Sequence, residues 1–446
     1  MPPTRAWPPF ASGETGLPGR CVALLSVHSC PLAALGGKEA GGMNVYVREL
    51  ARALGGLGLP VDVFTRSQDP AIPRVVSLGD QARVIHVGAG PERPLPRADQ
   101  LVHMGAFADA VMRFREAQEL DYALIHGHYW LSGVAGLDLG RRLGRPVVQM
   151  FHTLGAVKNQ VAGDTRDREP AVRLETETRV ARAVDRLIAA TPTERADLAW
   201  LAGADVDRIR VVPCGVDVEL FQPGDGSAAR QRLGLGSGRL LMFVGRLTPI
   251  KGIETLLRAL GRLRAQGEPD LRLVLVGGDR DEALDDERAR LRRLSASLGI
   301  DGWVEFRGPQ PQDVLPDYYR AADLCVIPSR HESFGMVALE AMASGATVVA
   351  SRVGGLEATV HDGLSGVLVP EGDPESLAAT ITGLMGDEPR RRALGRAAAA
   401  YARQFAWPEV ARAVRAVYAE TTPGVLDGTG PASRATRPLA ASCAVR

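Results

Sequence analysis

The sequence predicts an α/β protein built from two doubly wound, Rossmann-like domains that face each other across a cleft. Three observations favour this class: a length of 446 residues, short apolar runs that alternate with helical patterns, and a glycine-rich break in that alternation. At roughly 100–200 residues per domain, the length suits two or three domains. Hydrophobic residues make up 45% of the chain, which is enough for large cores.

The apolar runs are typical of parallel strands covered on both faces, because such strands have no solvent-facing side. In the first half they are Val22–Val27, Pro60–Thr65, Arg83–Val87, Ala123–His126, Val147–Phe151, Leu187–Ala190 and Ile209–Pro213. In the second half they are Leu240–Gly245, Leu271–Val276, Val304–Arg307, Leu324–Pro328, Thr347–Ser351 and Gly366–Val369. Sheets of this kind bind ligands at the carboxyl ends of their strands, so the cleft is the expected site.

The alternation breaks around Cys214–Gly238, where glycines indicate a connection between domains. We expect a flexible tail over 1–18, a first domain over 19–215 and a linker over 216–238. A second domain over 239–404 follows, then a helix over 405–420 that returns to the first domain. The tail over 421–446 is rich in Gly, Ala, Pro and Ser, which predicts disorder.

Charge and cysteine usage exclude several classes of protein. Lys plus Arg number 53 and Asp plus Glu 52, so a net charge of +1 disfavours a nucleic-acid partner. The five cysteines form no Cys-x-x-Cys pair, which fits a reducing cytoplasm and indicates neither a zinc site nor a disulfide framework. Because no apolar run approaches ~20 residues, we expect no membrane-spanning helix.

One segment combines two carboxylates with the start of a helix. An apolar strand ends at Pro328, a polar loop follows, and a helical pattern begins near Phe334. The first N–H groups of a helix lack partners and attract anions such as a diphosphate. Glu332 precedes the helix and Glu340 lies within it, so each can accept from ligand hydroxyls. Alternatively, Glu332 caps the helix and Glu340 is solvated.

A second segment places two cations at the end of a strand. Arg246 and Lys251 lie in the loop between the strand that ends at Gly245 and the helix that begins near Gly252. Fixed cations at such a position can neutralise charge that grows on a departing diphosphate. The alternative is that they are two ordinary loop cations.

The first half offers a glycine pair and three histidines at strand ends. Gly41 and Gly42 precede a helix and would let a backbone approach a phosphate, although a plain helix entry turn is the better explanation of the pair taken alone. His126 and His128 follow one strand and His152 another. No His-Glu-x-x-His string or cysteine partner accompanies them, so a zinc site is rejected.

The spacing Glu332-x7-Glu340, together with Gly245-Arg246-x4-Lys251, resembles glycosyltransferase family 4 of the GT-B fold over about residues 20–420. The resemblance implies that Arg246 and Lys251 hold the donor diphosphate and Glu340 the ribose. It also implies that Glu332 and His152 contact the transferred sugar, which makes Arg246, Lys251, Glu332 and His152 the expected catalytic set. The other donor-binding positions it implies are His28, Gly42, Gln310, Ser333, Phe334, Gly335 and Met336.

Strings in the first domain are similar to a subgroup of that family in which UDP-N-acetylglucosamine is the donor and 1D-myo-inositol 3-phosphate the acceptor, the first step of mycothiol synthesis. The acceptor-binding positions so implied are Gly41, Gly42, Met43, Asn44, Arg97, Tyr129, Thr153 and Arg173. Arg97 departs from the subgroup, which has lysine there, and a guanidinium fork changes the geometry. Arg97 and Arg173 could also be surface charges.

Other functions remain open. A related subgroup transfers glucose to fructose 6-phosphate, but it typically has a Thr-Gly-Gly-Gln string where this chain has Ala40-Gly41-Gly42-Met43-Asn44. A sugar-nucleotide-binding protein without turnover is a second alternative. A nicotinamide dehydrogenase is disfavoured, because the G-x-G-x-x-G fingerprint is missing from the first strand–helix turn.

The resemblance further implies a retaining mechanism with no required cofactor. It allows an accessory Mg²⁺ near Tyr319, Arg320 and Ala322, and it leaves a homodimer open. The expected partners are therefore a UDP-sugar and a small phosphorylated acceptor.

Overall fold

The structure is a computed structural model that describes residues 20–33, 41–79, 81–162, 168–268, 271–278 and 286–423. It contains two β-sheets with helices on both faces, so the predicted α/β class is confirmed. The expected tails over 1–18 and 421–446 lie outside the described residues, except for the last turn of the C-terminal helix and the residues just after it.

Eight strands form the first sheet and six the second. Those of the first are β1 (Arg20–Leu25), β2 (Val61–Arg66), β3 (Val75–Gly79), β4 (Ala82–Val87), β5 (Asp121–His128), β6 (Val147–Met150), β7 (Arg186–Ala189) and β8 (Ile209–Val211). Those of the second are β9 (Arg239–Val244), β10 (Leu271–Val276), β11 (Val304–Arg307), β12 (Leu324–Ile327), β13 (Val348–Ser351) and β14 (Val367–Val369).

Helices connect the strands in both halves. The first half contains α1 (Gly42–Gly56), α2 (Arg97–Gln100), α3 (Met104–Ala117), α4 (Trp130–Leu143), α5 (Gly155–Val161), α6 (Ala171–Ala183) and α7 (Pro192–Trp200). The remainder contains α8 (Gly226–Leu233), α9 (Ile253–Ala265), α10 (Asp286–Ser297), α11 (Leu315–Ala321), α12 (Met336–Ala343), α13 (Leu356–Thr359), α14 (Pro374–Gly386), α15 (Glu388–Ala402) and α16 (Trp407–Thr421).

The strand order is β3-β4-β2-β1-β5-β6-β7-β8 in the first sheet and β11-β10-β9-β12-β13-β14 in the second. Neighbouring strands are parallel except β3, which runs antiparallel to β4. The apolar runs do not predict β3, because this edge strand is partly exposed and lacks the continuous apolar run of a strand covered on both faces. In each sheet the order reverses around the first strand, which opens a crevice at the carboxyl ends.

The glycine-rich connection contains a helix that its composition did not predict. Asp225 caps α8 by accepting hydrogen bonds from the N–H groups of Ser227 and Ala228, at 2.8 and 3.2 Å. Helix α8 packs against α11 beside the second sheet. Local capping and this packing override the helix-breaking effect of the surrounding glycines.

The last helix joins the two halves. Helix α16 packs against α1, and an apolar cluster runs from the first sheet through Trp407, Val410 and Val414 into the second domain. At its far end Glu420 forms ion pairs with Arg186 at 3.0 Å and Arg210 at 2.8 Å, both from the first sheet. The chain therefore crosses back to the first domain at α16.

The connections that follow β9 and β12 lie in direct contact. The N–H of Arg330 donates to the carbonyl oxygen of Ile250 at 2.8 Å. Gly252 has φ +62, and a Cβ built there would lie 1.9 Å from the carbonyl oxygen of Pro328. Only glycine fits such a close approach in this conformation, so Gly252 permits the two connections to touch.

Replacing Gly252 with alanine should therefore destabilise the fold. We expect Gly252→Ala to lower the free energy of unfolding by about 2–5 kcal/mol, through left-handed strain and the collision with Pro328. The matched control is Gly234→Ala, because Gly234 has φ +64 but open space around its Cβ position. Gly234→Ala should lower the free energy of unfolding by only about 1–2 kcal/mol. Denaturant unfolding measures both, and equal losses would contradict the contact.

Candidate active site

The two connections bring a cation and a carboxylate together from positions 81 residues apart. Lys251 Nζ and Glu332 form an ion pair, and Ser329 Oγ donates to Glu332 Oε1 at 3.0 Å. The side chains of Lys251 and Glu332 are 18% and 15% exposed, so both can still be reached from the cleft. Arg246 is exposed in the same connection as Lys251. The structure thus brings three of the four expected catalytic residues to one edge of the second sheet.

Helix α12 begins two residues later than the sequence pattern indicates. It starts at Met336, and Gly335 precedes it with φ +90. The turn before it is fixed, because Thr359 Oγ1 donates to the Phe334 carbonyl oxygen at 2.6 Å and Gly355 N–H donates to that of Glu332 at 2.8 Å. The turn before α12 is therefore rigid. It holds the first N–H groups of the helix in place, as an anion site at a helix start requires.

Glu340 lies within α12 and is buried. Its Oε2 accepts a hydrogen bond from the Tyr319 hydroxyl at 2.9 Å. Burial raises the pKa of Glu340 to about 7, partly offset by hydrogen bonds from Tyr319 and Gln312. The alternative that Glu340 is solvated is therefore wrong, since only 8% of the residue is exposed.

The two domains touch beside these residues. Arg48 of α1 donates to Gln312 Oε1, and Gln312 in turn interacts with Glu340. A Cβ on Gly42 would lie 3.2 Å from Met336 Sδ. Gln310, an expected donor-binding residue, precedes this contact by two positions and bonds its own loop at Gly308. Helix α1 therefore faces the expected nucleotide site.

Cationic side chains gather around Tyr129 in the first domain. The guanidinium carbon of Arg173 lies 4.8 Å from the Tyr129 ring centre, and that of Arg97 lies 5.9 Å from it. Tyr129 is 5% exposed and has φ +76. Trp130 lies beside its hydroxyl, but among the described residues that hydroxyl makes no hydrogen bond of standard geometry. The cluster has positive charge and a buried hydroxyl donor.

Arg173 is positioned by carboxylates that are not among the residues predicted from the sequence. Arg173 is 1% exposed and pairs with Glu169 at 2.8 Å and with Glu177 at 2.7 Å. It also donates to the Thr153 carbonyl oxygen at 2.9 Å, and Lys158 pairs with Glu169. The i, i+4 spacing of these glutamates around Arg173 was a readable signal. The alternative that Arg173 is a surface charge is wrong, whereas Arg97 is half-buried.

The side chain of Asn44 makes hydrogen bonds within the first domain. Its Oδ1 accepts from the Gly41 N–H at 2.9 Å, and its Nδ2 donates to Ser29 Oγ at 2.6 Å and to the Cys30 carbonyl oxygen at 2.7 Å. Asn44 therefore ties the start of α1 to the end of β1. The glycine pair that precedes it forms a helix entry turn, with Gly42 exposed towards the second domain and Met43 partly buried.

Four histidines lie close together at the inner end of the first domain. The ring centres of His28 and Tyr129 are 4.2 Å apart, and burial followed by the charges of Arg97 and Arg173 lowers the pKa of His28 well below the usual range. His152 has φ +63, and its Nε2 lies 3.1 Å from His128 Nδ1. Burial lowers the pKa of both His126 and His152 to about 3. These rings are therefore neutral at physiological pH.

No cluster of three His, Cys, Asp or Glu side chains suited to a metal occurs among the described residues. Near Tyr319, Arg320 and Ala322, where an accessory Mg²⁺ is allowed, two guanidinium groups bond to neighbouring backbone carbonyls. Arg320 Nε donates to the carbonyl oxygen of Gln222 and Arg230 Nε to that of Ala321, each at 2.8 Å. A divalent cation would meet this positive charge, so the residues do not fit it.

None of the described helices is long and apolar enough to cross a membrane.

Two family profiles match the chain. Residues 40–220 match Glycosyltransferase Family 4, and residues 227–401 match Glycosyl transferases group 1. Together with the two-sheet architecture, they define a glycosyltransferase of the GT-B fold. The chain belongs to glycosyltransferase family 4 and is an enzyme of that class, so both predictions are confirmed.

Individual relatives are similar over nearly their whole length. The chain is 45% identical to D-inositol 3-phosphate glycosyltransferase 2 of Catenulispora acidiphila over 409 residues, 90% of this chain and 95% of that one. It is 44% identical to D-inositol 3-phosphate glycosyltransferase of Acidothermus cellulolyticus, over 90% of each. Sucrose-phosphate synthase from Thermosynechococcus elongatus superposes with TM-score 0.82 at 36% identity, covering 90% and 98% of the two chains.

The buried carboxyl of Glu340 predicts a pH-dependent stability. Its pKa is about 7 in the folded state against 4.5 for an ordinary glutamate, so folding takes up a proton between these values. Wild-type stability should therefore fall relative to Glu340→Gln as pH rises from 4.5 through about 7. The change should be on the order of 3 kcal/mol.

Urea unfolding at several pH values measures this difference. Glu375→Gln is the control, because the Glu375 side chain is 76% exposed and should track the wild type throughout. A constant offset between Glu340→Gln and the wild type over that pH range would show that Glu340 does not titrate with folding.

Proposed function

We propose that this enzyme is a retaining glycosyltransferase that transfers N-acetylglucosamine from UDP-N-acetylglucosamine to 1D-myo-inositol 3-phosphate. The observation that carries the choice of a phosphorylated acceptor is the placement of Arg97 and Arg173 on the ring of Tyr129. The names of the relatives at 45% and 44% identity support the choice of inositol 3-phosphate.

The donor half of the proposal rests on the second domain. Lys251 and Arg246 lie at the end of β9, where they can neutralise the diphosphate, and the N–H groups at the start of α12 can donate to its oxygens. Glu332 is already oriented by Lys251 and Ser329 and can bind hydroxyls of the transferred sugar. Glu340 is poised to accept from the ribose, with Tyr319 holding its other side.

The acceptor half rests on the cluster around Tyr129. A phosphate there would accept from the buried hydroxyl, which otherwise lacks a standard hydrogen bond among the described residues. Arg173 is pre-oriented by Glu169 and Glu177, so little side-chain entropy is lost when it binds. Arg97 supplies a guanidinium at the position where lysine is expected, and its planar fork suits a phosphate.

The positions of these donor and acceptor groups support attack on the face of the sugar from which the diphosphate leaves. The acceptor hydroxyl would attack from the face that the diphosphate leaves, and a departing phosphate oxygen would take its proton. Lys251, Arg246 and the α12 amides would stabilise the charge that grows on the leaving group. Domain closure would exclude water, which matters because water competes with the acceptor hydroxyl.

A competing proposal is transfer of glucose to fructose 6-phosphate, which the structural similarity to sucrose-phosphate synthase favours. The same cationic cluster would hold either phosphate. Cytoplasmic location, a homodimer and the absence of a nucleic-acid partner stay predictions.

Product analysis separates these substrates. Purified protein is incubated with UDP-N-acetylglucosamine or UDP-glucose, each with inositol 3-phosphate or fructose 6-phosphate, and products are identified by mass spectrometry. We expect a phosphorylated N-acetylglucosaminyl inositol and released UDP. A phosphodisaccharide of fructose would overturn the acceptor, and transfer to neither phosphate would overturn both. Binding of a UDP-sugar without UDP release would indicate a binding protein.

The leaving-group role of Lys251 gives a second test. Lys251→Ala should lower kcat by roughly 10²–10³-fold, because it removes a fixed charge from the departing diphosphate. Arg258→Ala is the control, since Arg258 is a cation further along α9 that pairs with Glu254 at 2.8 Å. It should keep near wild-type kcat. If Lys251→Ala turned over donor at the wild-type rate, another group would stabilise the leaving group.

A further inference from the structure

A chain of buried rings leads from α16 to His152. His126 Nδ1 lies 2.8 Å from the Tyr418 hydroxyl oxygen, and the tilted His126 and His128 rings pack with their centres 4.2 Å apart. His128 Nδ1 then lies 3.1 Å from His152 Nε2. Tyr418, His126 and His128 are each 0% exposed. Since His152 Nε2 already has a neighbour, Nδ1 is the ring nitrogen left for a ligand.

The unpartnered ring nitrogens of these histidines indicate which nitrogen carries the proton. Among the described residues, the Nε2 atoms of His126 and His128 are buried and have no hydrogen-bond partner. A buried N–H without an acceptor is rarer and costlier than a lone pair without a donor. The neutral His128 ring should therefore carry its proton on Nδ1, where it has an acceptor. His128 then donates to His152 Nε2, while His126 Nδ1 and the Tyr418 hydroxyl share a hydrogen bond.

The hydrogen bond with His128 also fixes the tautomer of His152. Its Nε2 accepts from His128, so its own proton must lie on Nδ1, because a neutral imidazole carries one N–H. His152 also holds a left-handed backbone, at φ +63, which a histidine adopts only when its surroundings impose it. Tyr46 packs edge-on against the ring at 5.1 Å and prevents it from turning.

We propose that His128 is a positioning residue that fixes His152 as an Nδ1–H donor directed at a hydroxyl oxygen of the transferred sugar, and that Tyr418 and His126 hold the His128 ring in place from behind. This inference rests on the proposed function for the identity of the ligand. It adds that α16, near the C-terminal end of the chain, supports a side chain of the first domain through the packed rings. Tyr418, His126 and His128 act through His152 and do not touch the substrate.

The tautomer is measured without substrate by ¹⁵N NMR of histidine-labelled full-length protein, with His152 assigned by its loss in His152→Ala. We expect His128 and His152 both to be neutral with the proton on Nδ1. A proton on Nε2 of His152 would overturn the inference. This result is independent of turnover, so it stands or falls separately from the proposed reaction.

Activity of variants gives the second readout. His128→Phe keeps a ring but removes the donor, and it should lower kcat about tenfold or more while the KM for the UDP-sugar changes less than about threefold. His128→Asn places an amide nitrogen near the Nδ1 position and should restore most of kcat. In a His152→Ala background, His128→Phe should have little further effect. Equal losses in both backgrounds would show that His128 acts only through the fold.

Tyr418→Phe tests the outer link if a His128 variant does not fold. It should shift the His126 and His152 signals and lower kcat. The matched control is Tyr401→Phe, which removes an equivalent bond between a tyrosine hydroxyl and His361 Nε2, at 3.1 Å in the second domain. That variant should leave both the His152 signals and kcat unchanged. Unchanged His152 signals in Tyr418→Phe would remove Tyr418 from the chain.

Discussion

The contact between the connections after β9 and β12 is the constraint on which the rest of the site depends. Gly252 lies against the Pro328 carbonyl, and Arg330 bonds to Ile250, so the ends of two adjacent parallel strands are held together. This contact pairs Lys251 with Glu332 and directs the start of α12 into the cleft. Without it, the cations and carboxylates would belong to separate loops, and each loop alone has an ordinary structural explanation.

The first domain holds positive charge at a buried position. Arg173 is 1% exposed, and burying an unpaired guanidinium would be costly. Glu169 and Glu177 offset that cost and fix the side chain, while Arg97 approaches the same tyrosine ring from α2. Neutral histidines occupy the remaining space, since burial keeps their pKa values low and adds no further charge.

An element can be predicted from the sequence where its local pattern has a single physical cause. Apolar runs predict the strands covered on both faces, because such strands must be apolar throughout. They do not predict β3, because it is an antiparallel edge strand. Helix α8 was missed since glycines around it favour a loop, whereas the Asp225 cap and packing against α11 stabilise it. A ligand contact of Asn44 stays a prediction, and in the fold its amide ties α1 to the loop after β1.

The sequence by itself determined the α/β class, the cleft at the strand ends and the residues that carry charge, because periodicity and motif spacing are local properties. Only the tertiary structure decided which charges meet. It placed Lys251 on Glu332, surrounded Tyr129 with Arg97 and Arg173, and linked Tyr418 to His152 through two buried rings. The physical reason is that such contacts join residues far apart in the chain, and only packing of the strands and of α16 fixes their distances.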